Sequence, residues 1–258
     1  MRALASREPT CALHVHVAVP DATAAIRAYE GLRPDAPVLL ALAANSPFWQ
    51  ARDTGFASAR TMIFSMFPRV GLPRSFGTYE RYVAAVELLL RSGAVPDASF
   101  LWWDVRLRPR LGTVELRVMD SQSRVDDAAC LAALVQCRVR LHAEARLPRP
   151  GLTPEALDEN RFLAARDGMG ARLIDSPDRG VRGARELLAE MLLECEPLST
   201  ELRCREQLDV VARLADDAGW TRQREIATLD GVDAVLPVLS EEFAPAPPME
   251  PSRLAAAR

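Results

Sequence analysis

The chain has 258 residues, of which 49% are hydrophobic, and a formal net charge of -3 at neutral pH. This length is enough for a sizeable core, and the slightly acidic balance excludes a general affinity for nucleic acid or acidic membranes. No apolar run reaches the roughly 18 residues of a membrane span, and the start MRALASREPT lacks the apolar core of a secretory signal. We therefore predict a soluble cytoplasmic protein that binds neither nucleic acid nor membrane.

The sequence contains no lysine, so its positive charge comes from arginine. This excludes Schiff-base chemistry and a Walker-type phosphate lysine, and it means that an anion must be bound by arginine or by backbone amides. The five cysteines have no CxxC spacing and are predicted to be small buried residues in a reducing compartment, without chemistry of their own. They are Cys11, Cys130, Cys137, Cys195 and Cys204.

The first predicted element is a strand over residues 12–19, with His14 and His16 on one face and Val15 and Val17 on the other. An H-x-H pair can ligate a metal because both imidazoles project the same way, but two histidines do not complete a site. The alternative interpretation is a pair of hydrogen-bonded histidines on a sheet. A metal hydrolase built on these two histidines lacks a third convincing ligand.

Helical patterns follow this strand, separated by a long ordered connection. Asp21 is a candidate N-cap for the first helix, and Pro37 begins an apolar helix that must be buried all round. The elements predicted here are a helix to residue 31, a second helix from 37, a connection over 46–60, a short helix over 61–67 and an amphipathic helix over 78–91.

Residues 101–120 contain two runs that alternate with period two, and they predict a β-hairpin. A four-residue turn at 109–112 places Arg106 opposite Glu115 and Asp104 opposite Arg117, so opposite charges face each other. The other face is apolar. One alternative is a solvated face with two surface ion pairs, each contributing about 0 to 1 kcal/mol. The apolar positions are Trp103, Val105, Leu107, Val114, Leu116 and Val118.

The remaining pattern is mainly helical. The predicted elements are a helix over 123–147 capped by Ser123, a break at 148–151, a helix over 154–167, a short strand over 171–174, helical segments over 181–218 with a break at Pro197, and helices after Gly219 and Gly231.

This order predicts an α+β fold, in which a mostly antiparallel sheet has helices packed on its apolar face and one charged face left open as a site. We predict a single domain over residues 1–243. The Pro-rich segment 244–258 is predicted to be a disordered tail.

Six ordered motifs resemble the carboxylate-amine ligases of the glutamate-cysteine ligase 2 family. Their spacing is similar from His14 to about Gly168, and the likeness continues more loosely through the helical region beyond. The motifs are LHVHV (13–17), LALAANSPFWQARDTGFASARTMIF (40–64), FPRVGLP (67–73), WWDVR (102–106), GTVELRVMD (112–120) and NRFLAARDG (160–168).

The resemblance implies an ATP-dependent ligase with a funnel-shaped antiparallel sheet, a catalytic fold like that of glutamine synthetase and guanido kinases. In such an enzyme Mg²⁺ and ATP activate a carboxylate, typically that of glutamate, as an acyl phosphate that an amine attacks. By this resemblance His14 and Glu115 are candidate metal ligands, and Arg117, Arg60 and Arg106 are candidates for holding an anionic substrate or phosphate. The candidate nucleotide contacts are Asn160, Arg161 and Arg166.

The sequence also departs from the family pattern. Relatives carry a strand with closely spaced glutamates that hold magnesium before the H-x-H strand, whereas His14 comes almost at once here. Ala18 replaces an expected glycine, and Leu107-Arg108 stand where Pro-Ser is usual. We therefore expect a ligase domain without its N-terminal third. The alternative is a non-catalytic paralogue that binds a small amino-acid ligand or assembles as a homo-oligomer or with a strand-donating partner.

Overall fold

A computed structural model describes residues 10–147 and 151–243. The predicted tail at 244–258 and most of the predicted break at 148–151 lie outside the described residues. One hydrophobic core extends from Val15 on the first strand to Ala215 in the C-terminal helical region. The extent of the domain, 1–243, stays a prediction.

The central sheet has three antiparallel strands, and the middle one is β7. This confirms the α+β class and the antiparallel sheet, although a short parallel pair, β4 with β5, stands apart from it. The strands are Ala12–Ala18 (β1), Phe48–Trp49 (β2), Arg52–Asp53 (β3), Val70–Gly71 (β4), Trp102–Trp103 (β5), Val105–Arg108 (β6), Thr113–Asp120 (β7), Arg172–Ser176 (β8) and Gly180–Gly183 (β9). The sheet order is β1-β7-β6.

The hairpin of β6 and β7 has the predicted register. Arg106 lies opposite Glu115 and Arg108 opposite Thr113, so four residues form the turn. Gly112 ends this turn with φ of 62°, a left-handed conformation that glycine adopts without the steric strain of a side chain. The parity of the turn therefore keeps the charged residues of both strands on one face.

The opposite face of the hairpin is apolar and buried under helix α1, as predicted. Its side chains pack into the core that also contains the leucines of α1. The buried residues of this face are Val105, Leu107, Val114, Leu116 and Val118.

The helices cover this apolar face and extend beyond it. The predicted helices over 78–91 and 154–167 are confirmed within one residue, and the two helices predicted after Gly219 and Gly231 are also present. The helices are Ala22–Ala43 (α1), Ala59–Phe64 (α2), Tyr79–Arg91 (α3), Val125–Ala143 (α4), Pro154–Asp167 (α5), Ala184–Glu201 (α6), Arg205–Asp216 (α7), Gly219–Asp230 (α8) and Val235–Phe243 (α9). Within residues 10–147 and 151–243, none of them has the combination of length and apolar character needed to cross a bilayer.

Helix α1 is one continuous element, so the prediction of two helices separated before Pro37 was wrong. Asp21 is its N-cap as predicted, and its carboxylate accepts a hydrogen bond from the backbone N–H of Ala24 at 2.8 Å. The helix continues through Pro34 and Pro37. Proline removes a helical hydrogen bond, but α1 lies between the sheet and α4 and α5, and burial on several sides stabilises it.

Two helix starts differ from the prediction, and in each case a serine hydroxyl makes a hydrogen bond that was not predicted. The cap of α2 is Ser58, whose hydroxyl accepts from the backbone N–H of Thr61, so α2 begins at Ala59. Ser123 was predicted to cap α4 but its hydroxyl accepts from the Asn45 side chain at 3.1 Å. Helix α4 begins at Val125 without a side-chain cap.

The region after residue 171 contains a hairpin that the sequence did not predict. The strand predicted over 171–174 corresponds to β8, and it pairs with β9 in the stretch predicted to begin a helix. The predicted break at Pro197 was also wrong, because α6 continues through it to Glu201. The break instead falls between Leu202 and Cys204, where Arg203 has a left-handed φ of 53°.

Candidate anion-binding site on the sheet

The open face of the sheet brings charged and imidazole side chains from three strands around Glu115. Because β7 is the middle strand, Glu115 lies between β1 and β6, directly opposite His16 on one side and Arg106 on the other. Alternate residues of a strand share a face, which places Arg117 on this face too. Five of the residues within 4 Å of the Glu115 carboxylate are His14, His16, Arg106, Arg108 and Arg117.

Glu115 is buried and held by two arginines. Arg106 donates through Nε to Oε2 at 2.5 Å and through Nη2 to Oε1 at 3.0 Å, a bidentate pair. Arg117 donates through Nη1 to Oε1 at 2.8 Å. Burial alone raises the pKa of Glu115, but Arg106 and Arg117 outweigh it and lower that pKa to about 2. Glu115 is therefore an anion throughout the neutral range.

His14 is a neutral side chain in this cluster. Its burial and the charge of Arg117 lower the pKa of His14 from the ordinary 6.5 to about 4. The 3.7 Å separation between His14 Nδ1 and Glu115 Oε1 is therefore not an ion pair at neutral pH. Arg117 Nη1 lies 3.3 Å from the same Nδ1, and a guanidinium can only donate. The geometry thus assigns the proton of His14 to Nε2.

Arg60 reaches β7 from the start of α2, at the place where β7 has an irregular register with β1. The pairing shifts between Leu13 and Val15. Arg60 donates to the carbonyl oxygens of Val118 at 3.1 Å and of Arg117 at 3.2 Å. At this irregularity, the two carbonyls accept hydrogen bonds from the Arg60 side chain. Arg60 is therefore held against the part of β7 that carries Arg117.

Asp120, at the end of β7, fixes the segment that carries Arg60. Its carboxylate accepts from the backbone N–H of Asn45 at 2.9 Å, from the hydroxyls of Ser46 at 2.8 Å and Ser58 at 2.9 Å, and from Arg60 Nη1 at 3.4 Å. Sequence reasoning did not single out this residue. In the sequence, the one feature that marks Asp120 is its place at the end of the GTVELRVMD motif. Its four hydrogen-bond donors lie in a distant segment of the chain, so no local pattern connects them to it.

A cavity of about 260 Å³ lies beside Arg60 and Asp120. Phe48 and Trp49 of β2 provide aromatic surface in its wall. The long connection over 46–60 therefore has the ordered structure that was expected of it, and it places aromatic and polar groups next to a candidate site residue.

The predicted pairing of Asp104 with Arg117 was wrong at the level of the side chains. The backbone N–H of Arg117 does donate to the Asp104 carbonyl at 2.8 Å. However, Asp104 lies at a bend between β5 and β6, and its carboxylate accepts from Arg161 Nε at 2.6 Å. Arg161 also donates to the Ser65 hydroxyl at 3.0 Å. The candidate nucleotide contact Arg161 is thus held next to the first strand of the hairpin.

The two other candidate nucleotide contacts make hydrogen bonds elsewhere. Asn160 is buried, and its amide donates to the Ile174 carbonyl and accepts from the Ile174 N–H, both at 2.7 Å. Arg166 is exposed, pairs with its neighbour Asp167 and lies 5.5 Å from the Phe162 ring. Neither side chain contacts the cluster around Glu115. Their roles in nucleotide binding stay predictions.

Positive charge exceeds negative charge at this face. Four arginines, including Arg108, surround the carboxylates Glu115 and Asp120 while His14 is neutral. The Nε atoms of Arg60 and Arg117 are buried and have no hydrogen-bond partner among the described residues. Buried donors are normally paired, so this face retains capacity for an anionic group.

The described residues do not form a magnesium site. Within residues 10–147 and 151–243, no group of three or more His, Cys, Asp or Glu side chains is placed to hold a metal ion. Both oxygens of Glu115 already accept from arginines, whereas Mg²⁺ requires several oxygen ligands. The predicted metal-ligand roles of His14 and Glu115 would need further oxygen donors.

The antiparallel sheet with an arginine-rich face and helices behind it places the chain among α+β proteins, and comparison with known proteins specifies the family. Residues 3–236 match the Glutamate-cysteine ligase family 2 (GCS2). The chain belongs to this family. The resemblance seen in the motifs is thereby confirmed.

Curated relatives support the same assignment. The chain is 42% identical over 256 residues to the "Putative glutamate--cysteine ligase 2-1" of Rubrobacter xylanophilus, with 98% of this chain and 68% of the relative covered. It is 41% identical over 234 residues to "Putative glutamate--cysteine ligase 2-3" of the same organism, covering 90% and 63%. It is 36% identical over 251 residues to the "Putative glutamate--cysteine ligase 2-1" of Frankia alni, with 94% of this chain and 65% of the relative covered. The chain thus spans about two thirds of the length of these relatives.

Proposed function

We propose that this chain provides the anion-binding face of an ATP-dependent carboxylate-amine ligase of the glutamate-cysteine type. The observation that carries the proposal is the excess of arginine around Glu115, with Arg106 and Arg117 positioned by that carboxylate. Family membership and the names of the relatives support a ligase. Phosphoryl transfer requires positive groups around developing negative charge, and an arginine-rich sheet face supplies them.

The proposed reaction has two steps. A carboxylate oxygen of the first substrate attacks the γ-phosphorus of ATP, ADP leaves, and an acyl phosphate forms. The amine nitrogen of the second substrate then attacks the acyl carbon, releases phosphate and loses a proton, which leaves an amide. In both steps the proposed role of Arg117 is to bind the phosphoryl oxygens, and Arg106 keeps Glu115 in place so that it orients Arg117. These roles belong to the described residues alone, which do not form a magnesium site.

The cavity beside Arg60 is the proposed place for the amino-acid carboxylate. Asp120 orients Arg60 toward β7, and the aromatic side chains of Phe48 and Trp49 can cover the aliphatic part of a small amino acid. A cavity of about 260 Å³ fits a substrate of this size.

Binding and turnover of ATP test the proposal. We expect Arg117→Gln to weaken binding of ATP or pyrophosphate about 10- to 100-fold, since a hydrogen bond to a charged group contributes about 1.5–3 kcal/mol. Titration calorimetry measures the affinity, and ADP release with magnesium, glutamate and cysteine measures turnover. Arg110→Gln is the matched control, because Arg110 is exposed in the turn of the same hairpin. Equal losses for the two variants would contradict the proposal.

A second candidate is a non-catalytic member of the family that binds an anionic ligand or assembles with another chain. Two observations favour it: the described residues lack the oxygen donors that magnesium needs, and β1 pairs on one side only within the described sheet. Anion binding that depends on Arg117 but occurs without ADP release would support this candidate over the ligase.

A further inference from the structure

Three of the five cysteines come together where α4, α6 and α7 pack against each other. Cys137 lies in α4, Cys195 in α6 and Cys204 directly before α7. The sulfur atoms of Cys137 and Cys204 are 3.7 Å apart, and the Cys195 thiol also contacts Cys137. The spacings of these three cysteines contain no motif, so their cluster was not predicted from the sequence. No metal-binding group was found among the described residues, so the cluster is one of thiols.

We propose that Cys137 and Cys204 are a redox-sensitive thiol pair, which a peroxide-class oxidant converts into a disulfide between α4 and the start of α7. The sulfurs are already in van der Waals contact, and a disulfide requires about 2.05 Å between them. Rotation about the Cα–Cβ bonds moves sulfur atoms without moving the backbone, so the remaining approach needs no large rearrangement.

Access of the oxidant distinguishes Cys204 from the other two cysteines. Cys137 and Cys195 are in helices and fully buried, whereas Cys204 is 5% exposed and lies in the short connection between α6 and α7. The preceding residue, Arg203, has a φ of 53°, a conformation that is strained for a non-glycine residue. Local opening is therefore expected at this connection first, and it would expose Cys204 before the helices separate.

The reaction is balanced with hydrogen peroxide as the named oxidant. The Cys204 sulfur attacks one peroxide oxygen, the O–O bond breaks, and a sulfenic acid and one water form. The Cys137 sulfur then attacks the Cys204 sulfur, the S–O bond breaks, and a second water leaves. Two thiols lose two hydrogens and the peroxide is reduced to two waters. Because both thiols are almost completely enclosed, the reaction is expected to be slow and limited by opening of the connection between α6 and α7.

Peptide mapping of the peroxide-treated full chain tests the proposal. After oxidation under native conditions, free thiols are alkylated in denaturant, and mass spectrometry of the digest identifies linked peptides. We expect a Cys137–Cys204 linkage within a monomer, a loss of two free thiols, and a midpoint of thermal unfolding raised by several degrees, because the bond closes a loop between residues 67 positions apart. Dithiothreitol should reverse all three changes.

Variants separate this pair from its neighbours. Cys204→Ala and Cys137→Ala should abolish the linkage, whereas Cys130→Ala, at another buried position of α4, should retain it. A linkage through Cys195 instead, or no linkage at peroxide concentrations that fully oxidise the denatured chain, would overturn the proposal. The mapping of the unmutated chain decides the matter even if a cysteine variant does not fold.

Discussion

Two carboxylates in this protein are held by arginine and histidine, and they lie in different layers of the fold. Glu115 is on the open face of the sheet. Asp35 is in α1 and accepts from Arg138 Nε at 2.7 Å and Nη2 at 3.0 Å, and it lies 2.8 Å from His142 Nε2. Both carboxylates are almost completely buried, at 1% and 5% exposure. Burial therefore does not distinguish them, and the difference must come from charge balance and hydrogen bonding.

The Asp35 cluster is balanced, whereas the Glu115 cluster is not. The remaining terminal nitrogen of Arg138 bonds Glu194, so each nitrogen of its guanidinium has a carboxylate partner. Burial alone raises the pKa of Asp35, but Arg138 and His142 hold it well below its usual range. At Glu115, several arginines share one carboxylate and Arg117 Nε has no partner in the described residues. A balanced cluster stabilises a fold, while an unbalanced one has capacity for a ligand.

The largest expected effect is the loss of stability when the balanced cluster is broken. Asp35→Asn leaves Arg138 and His142 without their buried anion, and we expect the free energy of unfolding to fall by about 3–5 kcal/mol. Denaturant unfolding followed by circular dichroism measures it. The control is Asp53→Asn, because Asp53 has the same bidentate arginine contact with Arg224 but is 46% exposed.

We expect Asp53→Asn to change the free energy of unfolding by less than about 1 kcal/mol. Similar effects of the two substitutions would show that the Asp35 cluster has no special structural role. Asp35→Asn should also leave pyrophosphate affinity unchanged in the folded protein, since the Asp35 carboxylate contacts Arg138 and His142 of α4 and not the side chains around Glu115.

The two clusters also differ in how far the sequence predicts them. The register of Arg106 with Glu115 follows from the alternation of the hairpin and from the even length of its turn, which are local properties. The motifs around it led to the correct family. In contrast, Asp35 is 103 positions from Arg138 and 107 from His142, and no local pattern connects them.

The errors in the helical region have a related cause. Pro37 was interpreted as the start of a second helix and Pro197 as a break, yet α1 and α6 continue through these residues, and α1 is packed on several sides. Asn160 was proposed as a nucleotide contact from its motif, and only the fold shows that its amide is bonded to Ile174 on β8. Local pattern thus predicts strands and turns, whereas helix continuity and distant partners depend on tertiary packing.

A smaller loss of stability is expected at the unbalanced cluster. Glu115→Gln removes the anion that positions Arg106 and Arg117, but some neighbouring side chains reach solvent, including Arg108 at 28% exposure. We therefore expect the free energy of unfolding to fall by about 1–3 kcal/mol. The glutamine oxygen can still accept from Arg117 and keep it oriented, whereas the negative charge that competes for the arginines is gone, so pyrophosphate affinity should rise rather than fall. Weaker pyrophosphate binding in a folded Glu115→Gln variant would contradict the comparison.

The smallest effect concerns pH, and it separates His14 from Glu115. As pH falls from about 6.5 to about 4, an unfolded chain takes up a proton at His14 that the native protein does not, so the free energy of unfolding falls in this range. Glu115, with an ordinary pKa of 4.5 lowered to about 2, contributes stability above pH 4.5 that is lost between these two values.

His14→Gln should remove the decline in unfolding free energy that His14 causes between about pH 6.5 and 4. The decline that Glu115 causes between pH 4.5 and about 2 should remain, and it serves as the internal control. Because the His14 side chain is 36% exposed, solvent screening limits the effect to no more than about 1 kcal/mol. Unfolding free energies of the variant and the unmutated protein at pH 7 and pH 5 measure it, and a further measurement near pH 3 covers the control. Equal losses of stability in both proteins between pH 7 and pH 5 would mean that burial and Arg117 do not hold His14 neutral. The imidazole would then add its own positive charge to the sheet face.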